Sequence, residues 1–235
     1  MPPVTRAVDP LSSVLMRTLL DMAVTRWWVA GAKPTVEIYR TPPPRGGRPA
    51  ALGPNGPRRT DPEAPVRVFD EVEGGPGGVT ALVMCHCESV DSGLLDTTVE
   101  SFDRHFAVNA RATWLLIREY GRRFRGVQGR GRIVGLTSDH TVGNLPYGAS
   151  KGAQDRITLA AAQEFAHLGV SANVINPGPV DTGWMSDEVR AGCRDRTPLG
   201  RLGTPRDTAH LVDFLCSPRG QWVNGQLLTS NGGFV

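Results

Sequence analysis

The chain has 235 residues, 40% of them apolar and 21% charged, with a formal net charge of +3. That length suits one domain with a full buried core, and those fractions suit an ordinary globule. So small a charge leaves no footprint for nucleic acid, and no apolar run is long enough to span a bilayer, so neither partner is expected.

Residues 11–30 are apolar but interrupted by Arg17, Asp21 and Arg26. That pattern predicts an amphipathic helix and not a secretory leader. Before it, Met1-Pro2-Pro3 leaves almost no length for a strand at Val4. Residues 35–39 (TVEIY) make a better strand. The stretch 41–59 (TPPPRGGRPAALGPNGPRR) is crowded with Pro and Gly. Pro fixes φ and removes a donor, and Gly costs backbone entropy, so a long loop with neither helix nor strand is expected. Its arginines, with Arg40 before it, read as a solvated basic face, with phosphate binding through Arg40, Arg45, Arg48, Arg58 and Arg59 as the alternative.

From Gly78 onward the pattern is regular. Residues 79–84 (VTALVM), 132–137 (RIVGLT) and 170–176 (VSANVIN) are short apolar runs suited to strands buried on both faces. Residues 98–125 and 148–167 predict long helices, the second with Ile157, Ala160, Ala161, Phe165 and Leu168 on one stripe and Gly169 as its C-cap. Residues 204–216 predict a third helix and 226–230 a last strand. Such alternation favours a parallel sheet with helices on both faces and a ligand beyond the carboxyl ends of its strands. Trp27, Trp28 and Phe124 read as core or interface aromatics. Four cysteines do not make a disulfide framework in a chain this long, and a reducing cytoplasm is expected.

Tyr147 and Lys151 lie four apart at the start of the second long helix, so their side chains share a face. A phenol is a poor base at neutral pH, and a nearby ammonium favours its ionised form. Ser138 follows a buried strand and can face the same crevice. Together they can give a proton to a carbonyl oxygen or take one from an alcohol. Cys85-His86-Cys87 lacks the spacing of a structural zinc site, so no metal is expected; small buried thiols are the plainer reading, with a substrate-side role for His86 the alternative. Trp184 is either a substrate wall or plain packing. His140 either faces the pocket or caps a turn.

From about Leu94 to Phe234 the chain resembles the short-chain dehydrogenase/reductase family, in particular 3-oxoacyl-carrier-protein reductases. The resemblance rests on Val108-Asn109-Ala110, residues 131–134 leading to Ser138, Tyr147 with Lys151, residues 174–182 (VINPGPVDT), Val223 to Gln226, and Gly232-Gly233. It implies an α/β fold, a Rossmann-like doubly wound parallel sheet in one domain over 1–235. Residues 1–60 form its divergent part, with a shortened or irregular first strand and an altered crossover between the second and third strands. It also implies that Tyr147 is the general acid/base, that Lys151 lowers its pKa and holds a ribose, that Ser138 orients the carbonyl, and that Asn109 supports a water relay. Pro177, Gly178, Val180 and Thr182 would border a nicotinamide.

The family's first strand ends in a turn of the type T-G-x-x-x-G-I-G, whose glycines let bare backbone approach a diphosphate. Here the best match is residues 5–12, with Arg6, Pro10 and Ser12 at the glycine positions and Asp9 adding a negative charge. The adenine-contacting Asp falls near Arg58, and residues 84–87 (MCHC) stand for the usual N-N-A-G. Proton-transfer chemistry without hydride transfer is therefore the favoured expectation (dehydration, isomerisation, aldol-type cleavage or cyclisation), with no nicotinamide cofactor. The alternatives are an NAD(P)H-dependent carbonyl reductase and a non-catalytic subunit. A misassigned start or a shifted reading frame over residues 1–60 would also account for the divergence. The implied substrate is a small or carrier-bound carbonyl compound. The implied assembly is a homo-oligomer, dimer or tetramer, or a hetero-oligomer with a relative.

Overall fold

The computed structural model describes residues 36–41, 50–51, 61–73 and 78–235. The predicted helix over 11–30, the turn at 5–12, Trp27, Trp28 and most of the loop 41–59 lie outside them. Among the described residues six strands form one sheet. They are β1 (Val36–Thr41), β2 (Ala50–Ala51), β3 (Gly78–Met84), β4 (Gly131–Leu136), β5 (Val170–Asn176) and β6 (Leu227–Thr229), in the order β2-β1-β3-β4-β5-β6. The pairs from β3 to β6 are parallel.

The apolar run of β3 alternates between two cores because successive side chains leave a strand on opposite faces. Leu82 and Met84 enter one core with Val68, Phe69 and Val72 of α1 (Ala64–Glu73). Ala81 and Val83 enter the other, against Ala209, Val212 and Leu215. Both faces are thus covered by helices, as the continuous apolar strands require. Tyr120 ties the first core to the sheet: its hydroxyl donates to Thr80 O at 2.9 Å and accepts from Arg132 N at 3.2 Å. Phe124 packs beside it as a core residue.

The expected helix over 98–125 is three pieces: α2 (Val99–His105), a π-helical segment (Phe106–Arg111) and α3 (Ala112–Arg123). The wide turn carries Asn109. The second long helix is α4 (Leu145–Glu164), with Pro146 in its first turn, where a missing N–H costs nothing. A short 3-10 turn follows, and Gly169 ends it at φ +69°, a conformation open to glycine. After α5 (Asp187–Asp195), α6 (Pro205–Cys216) starts at a capping box between Thr204 and Asp207.

Two expectations are corrected at the edge of the sheet. Ala50 and Ala51, inside the stretch predicted to hold no strand, pair with Ile38 and Glu37. Two alanines without Gly or Pro between them are enough for one ladder step. The edge is also antiparallel: Val36 pairs with Met84 and Thr41 with Gly78, so β1 runs against β3. Arg40 therefore pairs with Val79, roughly 16 Å from the carboxyl end of β3 at about 3.3 Å per residue. Its register puts its backbone at the end of the sheet away from the crevice. No helix of the described residues is long and apolar enough to cross a membrane.

Candidate active site

The three central parallel strands deliver their carboxyl ends to one side of the sheet. β3 hands over to Cys85, His86 and Cys87, β4 to Thr137 and Ser138, and β5 to the turn Pro177–Thr182. α4 begins at the same side, so Tyr147 arrives beside Ser138. Ser138 acts on the phenol as a polar neighbour that favours its ionised form. Ser138 Oγ also accepts from the backbone N of His140 at 3.2 Å, which fixes the serine in a tight turn. The side chain of His140 is exposed. The approach of α4 to this turn depends on Gly148, since a Cβ there would lie 2.7 Å from His140 O.

Lys151, one helical turn below Tyr147, is buried. Its Nζ lies 5.9 Å from the centre of the Tyr147 ring and donates to Leu136 O at 2.8 Å, Gln154 Oε1 at 2.9 Å and His86 O at 3.4 Å. Burial pushes the ammonium's pKa down, opposed by Cys87, Cys85 and Asp155. The phenol of Tyr147 is pushed up, by burial first and then by Cys87, with Ser138 acting the other way. The expected lowering by Lys151 is not found: desolvation, which penalises a phenolate, is the largest influence.

Asn109 is fully buried and braces the floor of the crevice. Its Oδ1 accepts from Glu88 N at 2.7 Å, while Nδ2 donates to Glu88 O at 2.9 Å and to Ser150 Oγ at 2.8 Å. The π-helical segment widens the turn that aims this side chain. Lys151 and Asn109 thus meet through the backbone of residues 86–88. His86 is also buried, with Nε2 3.4 Å from Thr113 Oγ1.

Across the crevice, Asn176 Oδ1 accepts from Gly178 N at 3.1 Å, and Gly178 takes φ +61° against Asn231. A bridge between Val180 and Gly203 holds the turn open. Thr182 Oγ1 is buried without a hydrogen-bond partner among the described residues. A buried hydroxyl left unpaired beside a polar crevice suits a ligand that brings a donor or acceptor, such as a carboxamide. Trp184, two residues on, is 48% exposed. Among the described residues no group of three His, Cys, Asp or Glu side chains is placed for a metal.

Gln154 and Ser150 are site neighbours that the sequence reading passed over. Their signal was present: Ser150, Gln154 and Thr158 recur every four residues, a polar stripe in a helix whose expected buried stripe was apolar. All three are fully buried, whereas Ala160 of the expected stripe is exposed.

Residues 60–235 match the family model described as enoyl-(acyl carrier protein) reductase. The uncharacterized oxidoreductase YjdA of Bacillus subtilis is 36% identical over 75% of this chain and 72% of its own length. An NADPH-dependent aldehyde reductase-like chloroplast protein of Arabidopsis thaliana is 37% identical over 60% of this chain and 55% of its own. A crystal structure of a short-chain dehydrogenase from Burkholderia cenocepacia in complex with NADP superposes with a TM-score of 0.68, at 29% identity over 74% of this chain and 73% of that one. These relatives overturn the expectation that no nicotinamide cofactor is used. Most of the divergence behind that expectation sits in residues 1–60, outside the matched residues 60–235, which contain residues 84–87 as well. The relatives also favour reduction over proton transfer alone. A site built from these strand ends, matched along three quarters of its length, makes the chain a member of the short-chain dehydrogenase/reductase family.

Proposed function

We propose that the chain is an NAD(P)H-dependent reductase of a small or carrier-bound carbonyl compound. The observation that carries this is that Ser138 after β4 and Tyr147 at the start of α4 come to the same end of the sheet as the turn that bears the unpaired Thr182 hydroxyl. Pro177, Gly178, Val180 and Thr182 would border the nicotinamide, and Lys151 would hold its ribose on giving up the 3.4 Å bond to His86 O. When bound, the coenzyme supplies a hydride to the carbonyl carbon. Ser138 donates a hydrogen bond to the carbonyl oxygen and fixes its direction. Tyr147 gives that oxygen its phenolic proton as negative charge builds, so carbonyl, hydride and proton sum to the alcohol. A phenol held protonated by burial is a competent acid at neutral pH. The Lys151 ammonium opposes the charge left on the ring.

His86, Trp184 and His140 are the candidate substrate contacts: His86 follows β3, buried with Nε2 towards Thr113, Trp184 follows the 177–182 turn, and His140 lies exposed beside Ser138. The exposed Val99, Phe102 and Trp114 on α2 and α3 support a homo-oligomer joined through that face. All four cysteines are free thiols, as a reducing compartment allows.

The test is NADPH and NADH binding by calorimetry, then NADPH consumption with short aldehydes and β-ketoacyl thioesters. Tyr147→Phe is expected to lower kcat/KM by roughly 10²–10⁴-fold with coenzyme affinity kept. No coenzyme binding, or a Tyr147→Phe enzyme as active as the parent, overturns the proposal. Acid–base chemistry without hydride transfer, or a subunit without catalysis, would then remain.

A further inference from the structure

α4 turns the polar side chains of Gln154 and Thr158 onto β4. Gln154 Nε2 donates to Leu136 O at 2.8 Å, the same carbonyl that accepts from Lys151 Nζ, and its Oε1 accepts from Lys151 Nζ. Lysine, glutamine and carbonyl close a ring of three. Both lone pairs of the carbonyl are used, and both ends of the amide are used. The strand makes room for this: a Cβ on Gly135 would lie 3.1 Å from Gln154 Nε2 and 3.3 Å from Thr158 Oγ1.

An ammonium has three N–H donors, and a buried one needs acceptors for them. For Lys151 two acceptors are main-chain carbonyls, Leu136 and the more distant His86. Among the described residues Gln154 supplies the side-chain acceptor. We propose that Gln154 is a positioning residue of the active site, the neutral acceptor that keeps the buried Lys151 ammonium charged and aims it beside the Tyr147 ring. Four other titratable side chains face Lys151: Tyr147 and Asp155 from α4, and Cys85 and Cys87 from the segment after β3. His86 of that segment meets it through its carbonyl. All stay in place when Gln154 is changed. The catalytic consequence rests on the reductase reading above, and the ionisation of Lys151 does not.

The chain contains two lysines, Lys33 and Lys151. Lys33→Arg protein carrying lysine labelled with carbon-13 at Cε therefore gives one resonance, from Lys151, whose titration reads its ionisation directly in the full chain without coenzyme. Gln154→Met removes the acceptor at similar volume and is expected to move the midpoint down by about one pH unit. Gln154→Glu supplies an anionic acceptor of nearly the same shape, at the loss of the bond given to Leu136 O, and is expected to move it up by about one pH unit or more. If the Met variant does not fold, the upward shift in the Glu variant carries the test. In active enzyme, the alkaline limb of kcat/KM should move with the midpoint, in opposite directions for the two variants. Midpoints in folded variants that match the parent overturn the proposal. A chain that reduces no carbonyl yet shows the opposed shifts overturns the reductase reading and leaves Gln154 in its role. An active reductase whose Lys151 midpoint ignores position 154 does the reverse.

Discussion

Replacing Asn109 by Ala tests whether the crevice floor is held as described. The change deletes the bond accepted from Glu88 N and those given to Glu88 O and Ser150 Oγ, all of them made by a fully buried side chain. At a net worth of about 1 kcal/mol each, the loss is about 3 kcal/mol. For a chain of this size that lowers Tm by roughly 6–12 °C, at about 2–4 °C per kcal/mol. Urea unfolding should show the midpoint falling with the slope unchanged, since the surface exposed on unfolding is nearly the same. Asn109→Asp sharpens the test. Its first oxygen still accepts from Glu88 N, but the second faces the Glu88 carbonyl, and Ser150 Oγ already donates to Tyr147 O at 2.9 Å. That variant should be at least as unstable at neutral pH. Because residues 86–88 also carry the carbonyl that meets Lys151, both variants should lose activity along with stability. An Ala variant that loses less than about 1 kcal/mol refutes the bracing role.

The start of α6 gives a pH-dependent prediction. Asp207 is held well below the usual carboxylate range, first by Arg201, which binds both its oxygens at 2.8 and 2.9 Å, and then by Thr204. A depressed folded pKa gives stability that is fully present above the unfolded pKa of about 3.9 and lost as pH falls through the folded value. Asp207→Ala should cost about 1 kcal/mol by loss of the cap, the exposed ion pair adding less. In urea unfolding the deficit should be full at pH 7 and shrink as the solution becomes strongly acid; a constant deficit would refute the assignment. Gly148→Ala should drive a methyl group against Thr141 and His140 O and displace the turn bearing Ser138. An overpacking cost of about 1–3 kcal/mol and a fall in kcat on the order of 10²-fold are expected. Full activity would show that the turn can yield without moving Ser138.

The local periodicities were legible in the residues alone. Three apolar runs became β3, β4 and β5 because a continuous apolar strand is stable only with both faces covered. Tyr147 and Lys151 met because four residues are about one helical turn, and Gly169 ended its helix segment because the left-handed conformation costs glycine little. The direction of β1, and with it the register of Arg40 opposite Val79, came from pairing with a strand some forty residues away. So did the π-helical turn that aims Asn109 at Glu88, and the ring joining Gln154 to Lys151 over Leu136. Spacing along a chain fixes which side chains share a face. What that face meets is set by partners brought from elsewhere, and the burial they impose is the largest influence on the acidity of Tyr147.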